Sequence, residues 1–77
     1  MDEHRARLTK CFAAVFPDLP AAEISAATLT GVKAWDSIAH VTLLAVVEEE
    51  FGITVDATDL EHLTSYDALL DYLAVRA

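Results

Sequence analysis

An acid and a hydroxyl, Asp36-Ser37, stand just before an apolar stretch that runs from Ile38 to Phe51 and is closed by Gly52. If that stretch is a helix, Ser37 lies at its positive end, beside backbone N–H groups that have no partner within the helix. Such a place suits a phosphate. Two readings of the hydroxyl follow: it caps the helix, or it carries something. Nucleophilic catalysis fits less well, because it needs a base and an orienting acid in one pocket. His40 is the nearest base, and a wheel at about 100° per residue turns it towards the core. No independent enzyme activity is expected. Metal chemistry has no framework either. Asp56-Ala57-Thr58-Asp59-Leu60-Glu61 lacks the alternating ligands and central glycine of a calcium loop, and helix capping accounts for both aspartates. His4, His40 and His62 show no metal-ligand spacing. The single cysteine, Cys11, excludes an internal disulfide framework and a thiolate zinc site, and reads as a small buried hydrophobe.

The elements that must position Ser37 are helical. The chain has 77 residues, enough for one domain, and is 55% hydrophobic with only two glycines and two prolines, too few turns for an all-β fold. Leu8, Cys11, Phe12 and Val15 recur at the spacing of a one-sided helix that Pro17 stops. Residues 17–36 form a long connection in which Thr30-Gly31 predicts a turn and Ala21 to Ser25 a short helical turn. Leu19, Ile24 and Leu29 are expected to pin it to the core. On the next helix the wheel places His40, Leu43, Leu44, Val47 and Phe51 on the core face. Ile38, Thr42, Ala45 and Glu49 lie opposite, flanked by Val41 and Val46. A mostly small and apolar outer stripe predicts contact with a partner. Glu48, Glu49 and Glu50 oppose the dipole at the helix's C-terminal end, which points the same way. Gly52 fits a left-handed helix stop. Asp56 with Asp59, and Thr64 with Asp67, read as caps of two further helices, and Tyr66, Leu69, Leu70 and Leu73 supply the last apolar stripe. The expected helices are about 3–16, 37–51, 57–62 and 65–75.

Thirteen acids against five bases give a net charge of −8, and between Ala34 and Val75 there are nine acids and no Lys or Arg. That sign argues against nucleic acid as a partner. It suits either a solvated, solubilising surface or docking to basic patches. The run Cys11 to Phe16 is too short for a signal-peptide core, and no window approaches the ~20 apolar residues of a membrane span, so a cytoplasmic monomer without a membrane role is expected.

Asp36-Ser37-Ile38, followed at the matching distance by Glu48-Glu49-Glu50-Phe51-Gly52-Ile53 and then by Leu63-Thr64-Ser65-Tyr66, resembles the acyl carrier protein family over almost the whole chain. The resemblance implies an all-α four-helix bundle with a long first loop and a short third helix, in a single carrier domain spanning 1–77. It implies that Ser37, with Asp36 beside it, accepts 4′-phosphopantetheine from coenzyme A through a separate phosphopantetheinyl transferase. The arm's thiol then holds acyl groups as thioesters. Ile38, Thr42, Ala45, Val46, Glu48 and Glu49 become the expected interface with acyl-loading, condensing and tailoring enzymes that present basic docking patches. Val41, Leu44, Leu60, Leu63 and Tyr72 become the expected cavity for an acyl chain. Many fatty-acid-synthase carriers have acids where Ala39 and Thr42 stand and a small residue in place of Trp35, and peptidyl carriers have a glycine pair where Lys33-Ala34-Trp35 stands. The closer likeness is to a discrete carrier of polyketide or mixed natural-product assembly. The alternatives are a fatty-acid-synthesis carrier, or an acidic helical interaction module in which Ser37 is only a cap.

Overall fold

A computed structural model describes residues 2–76. Five helices follow one another: α1 Asp2–Val15, α2 Ala21–Ile24, α3 Ser37–Phe51, α4 Ala57–Leu60 and α5 Tyr66–Arg76. Three are long and two are single turns, so the all-α expectation holds while the count of four does not. The short turn in the first connection is a helix in its own right, opened by Pro20, whose fixed φ of −59° suits a helix start. The third expected helix closes at Leu60, earlier than 62.

Leu8, Phe12, Leu43, Val47, Leu69 and Leu73 are wholly buried and join α1, α3 and α5 in one core. Each such side chain contributes roughly 1.5–3 kcal/mol, so this core dominates the stability. The long connection is part of it. Ile24, Ala27 and Trp35 are buried, and Leu19 and Leu29 pack against the core, as the pinning expectation requires. Backbone bonds zip the same segment to the start of α5: Leu29 N donates to Thr64 O at 2.8 Å and Tyr66 N to Ala27 O at 2.9 Å. Gly31 sits where a Cβ would lie 2.7 Å from Thr28 Oγ1, which explains the glycine in the Thr30-Gly31 turn. Buried Tyr66 reaches α1, where its hydroxyl donates to Arg5 O and receives a hydrogen bond from Thr9.

Two capping expectations change. Ser65, not Thr64, caps α5, accepting from Ala68 N at 3.1 Å. Asp56 stands at the start of α4, but its side chain makes no cap bond. Gly52 closes α3 in the left-handed region at φ 66°, as its position predicts.

The acids at the end of α3 are compensated from elsewhere in the fold. Arg7 of α1 donates through Nε to Glu50 Oε2 at 2.9 Å, bonds the Glu50 carbonyl oxygen, and lies over the Phe51 ring at 4.5 Å. A base thus meets the negative helix end from another helix. Glu48 turns back and accepts from Val55 N at 2.7 Å, which fixes the chain beyond Gly52. Only Glu49 of the three faces solvent. The Arg7–Glu50 pair is about one-third exposed on both sides, so solvent screens it and its contribution is small. Its hydrogen bond with Arg7 still holds the Glu50 carboxyl below the usual range. A depressed carboxyl stabilises the fold above its unfolded pKa and loses that contribution as pH falls through the folded one. Glu50→Gln should therefore lower the melting temperature at neutral pH. The gap to wild type, followed by thermal melts across the acid range, should close as Glu50 protonates.

Candidate functional site

Trp35, Asp36 and Ser37 occupy three different environments in three consecutive residues. Trp35 is only 3% exposed. Its ring meets Phe12 edge-on with centroids 5.4 Å apart and lies 5.8 Å from Phe16. That anchor holds the end of the long connection to the core. Asp36 follows in extended conformation and caps α3, accepting from Ala39 N through Oδ1 at 2.8 Å. Ser37 is then the first helical residue, and it is exposed. Among the described residues no hydrogen bond engages its hydroxyl. The capping role that composition allowed Ser37 belongs to Asp36.

The cap leaves first-turn N–H groups at Ser37 and Ile38 pointing out of the helix start, where a phosphate on Ser37 would find them. Beside Ser37 opens a groove of about 500 Å³ lined by Leu29, Trp35, Asp36, His40, Val41, Ala57, Leu60 and Glu61. An accessible hydroxyl, unpaired donors and adjoining apolar space together fit a phosphate-linked arm.

His40 is half-buried, as the wheel indicates, and both its ring nitrogens are engaged. Trp35 Nε1 donates to His40 Nδ1 at 3.1 Å, so the proton of the neutral ring is on Nε2, which donates to Leu60 O at 2.8 Å. Sequence reading saw His40 as a core residue and Trp35 only as a departure from a small residue. Their pairing was missed. An indole donor five positions before a histidine, across a helix start, was the available signal.

The expected acyl cavity divides. Val41 and Leu60 line the groove. Leu44 and Leu63 do not, being packed in the core at 3% and 4% exposure. Tyr72 does not either: its hydroxyl donates to Asp59 Oδ2 at 3.0 Å and Arg76 lies over its ring, so it braces α4 against α5. Of the expected interface, Ile38, Thr42, Ala45 and Glu49 are exposed and Val46 is half-buried, while Glu48 is the residue committed to Val55. Ile38 at 79% and Val41 at 62% exposure are large apolar side chains left in solvent.

A family described as "Phosphopantetheine attachment site" matches residues 6–73. The chain belongs to that family. No curated protein and no solved structure matched it. The carrier's cofactor is accordingly a covalently attached 4′-phosphopantetheine, and the domain is a carrier and not an enzyme. It works with a phosphopantetheinyl transferase and with the enzymes that use the arm. Among the described residues no helix is long and apolar enough to cross a membrane.

Cys11, the carrier's own thiol, is withdrawn from this chemistry. Burial, aided by Glu50, pushes it up to about 11.

The division of labour between Asp36 and Ser37 is measurable by chemical denaturation. Asp36→Ala should cost about 0.5–2 kcal/mol, the worth of a lost cap, while Ser37→Ala should change stability by no more than about 0.5 kcal/mol.

Proposed function

We propose that Ser37 is the residue that bears the phosphopantetheine arm, and that the protein carries acyl intermediates for polyketide or mixed natural-product assembly. The observation that supports the attachment most directly is the one that separates Ser37 from Asp36: the cap is made next door, and the serine hydroxyl is left exposed and uncommitted. A phosphodiester formed there keeps a negative charge, which the helix start favours by roughly 0.3–1 kcal/mol. When bound, the arm supplies a thiol on which acyl groups are held as thioesters. The chain's part is to present that arm, with the first turn of α3 facing the phosphate.

The neutral outer stripe supports the pathway assignment. Ala39 and Thr42 replace the acids of many fatty-acid-synthase carriers, and Ile38, Val41 and Ala45 make the exposed face of α3 largely apolar. In this reading Ile38, Thr42, Ala45 and Val46 meet the partner enzymes. With Glu48 and Glu50 engaged internally, Glu49 is the acid at that end of the helix that remains for a basic docking patch.

Incubation with coenzyme A, magnesium and a broad-specificity phosphopantetheinyl transferase should add one phosphopantetheine to the wild type, seen by intact mass. Ser37→Ala should fold and remain unmodified. A modified Ser37→Ala protein would place the arm elsewhere. Thiol titration under native conditions offers an independent check: the unmodified protein should show no fast-reacting thiol, because Cys11 is buried, and the modified protein should show one.

If acids such as Glu49 steer basic partners, the association rate with the transferase should fall steeply as salt rises. Stopped-flow rates that stay flat with ionic strength would leave the apolar stripe as the docking determinant.

A further inference from the structure

α4 has no fully buried residue, and half-buried Leu60 is its one apolar contact with the core. Two side-chain hydrogen bonds tie it as well. One is the Tyr72–Asp59 hydrogen bond, which faces α5. The other is the relay from Trp35 through His40 to the Leu60 carbonyl, which runs along the groove beside Ser37. The relay's three residues belong to the long connection, α3 and the end of α4, and all three line that groove. Below it the interior is filled: Leu43, Leu44, Leu63, Leu69 and Leu70 are each 4% exposed or less.

From this we infer that His40 determines which cargo the carrier shelters. Resting on the reading that Ser37 bears the arm, the inference assigns the groove one occupant, the proximal part of an acyl group tethered to Ser37. Ser37 is itself part of the groove wall, so a group carried there starts at the groove mouth. The groove's inner side is closed by the tied indole of Trp35 and by the His40–Leu60 hydrogen bond. With α4 held at that distance and the core packed, a short acyl group lies between Val41 and Leu60, and the rest of a longer chain stays outside. His40 thus acts as a positioning residue, through Leu60 and α4, and not by chemistry on the thioester.

The test loads the holo protein with acyl groups from acetyl to dodecanoyl and follows their release by hydroxylamine. The amine attacks the thioester carbonyl, giving the hydroxamate and the free arm thiol, so a sheltered carbonyl reacts more slowly. Intact mass of wild type beside an unmodified Ser37→Ala control establishes before the assay that Ser37 is loaded, which keeps failure of the attachment reading apart from failure of this one. In wild type, protection should not rise beyond the short chains. His40→Leu, which keeps the volume but cannot tie Leu60, should release α4 and slow the reaction of octanoyl and dodecanoyl thioesters by about tenfold. His40→Gln supplies one acceptor and one donor and should restore the wild-type profile. Rising protection with length in wild type, or a flat profile in His40→Leu, would overturn the proposal.

Amide hydrogen exchange on the unmodified protein gives a readout that does not depend on the arm. Residues 57–61 should exchange faster in His40→Leu and return to the wild-type rate in His40→Gln, and unchanged exchange in His40→Leu would also refute the role. If His40→Leu does not fold, Leu60→Ala widens the groove with the relay's backbone acceptor intact. It must then extend protection to longer chains than wild type shelters, and an unaltered profile would count against the inference.

Discussion

Burial of Trp35 is the constraint on which the arrangement of this carrier depends. An indole has more apolar surface than any other side chain in the segment, and here it is driven into the aromatic cluster of Phe12, Phe16 and Tyr66 at the centre of the fold. The residue two positions later is exposed. With Trp35 anchored in the core two positions before it and α3 beginning at once, Ser37 has little freedom in where it points. The long connection that precedes it resembles a loop by composition but behaves as part of the core, held by Ile24 and Ala27 and by backbone bonds to the α4–α5 junction. An arm attached to Ser37 would be flexible in itself but rooted at a rigid point.

Helix α3 serves two environments with opposite faces. Leu43, Leu44, Val47 and Phe51 are buried, while Ile38, Val41, Thr42 and Ala45 are left in solvent. A helix apolar on both faces would ordinarily be expected to be covered on both. This one is covered on one side only. The acids at its end are less available to partners than their count implies: Glu48 and Glu50 make internal bonds, and the base that offsets the helix dipole comes from Arg7, more than forty residues earlier. Local sequence showed an electrostatic conflict where tertiary structure has a clamp.

That case also shows what was legible from sequence and what was not. The core-facing stripes of α1, α3 and α5, the Gly52 stop and the Thr30-Gly31 turn could be read because each is set by spacing within a few residues or turns of chain. The cap of α5 was placed one residue early, at Thr64 instead of Ser65, and the choice between Ser37 and Asp36 as the cap of α3 stayed open, because neighbouring polar side chains compete for the same N–H group and small differences in φ and ψ decide between them. Leu44, Leu63 and Tyr72 do not line the groove beside Ser37, because helical spacing says which side chains turn inward, not whether space remains once they meet. The Trp35–His40–Leu60 relay depends on a tertiary contact across twenty residues and has no periodic signature.

The position of Cys11 bears on what a carrier must avoid. A thioester held near a free thiolate on the same chain would be open to exchange, with the acyl group passing to the wrong sulfur. Cys11 is 3% exposed, in the core between α1 and α3, and its thiol is pushed up to about 11, first by desolvation and then by Glu50. At pH 7 only on the order of one thiol in ten thousand would be ionised, and that fraction is enclosed by side chains. Glu50, held in place by Arg7 for structural reasons, thus also suppresses the ionisation of the one cysteine the chain contains. The same packing that roots Ser37 keeps the chain's own nucleophile away from any cargo that an arm on Ser37 would carry.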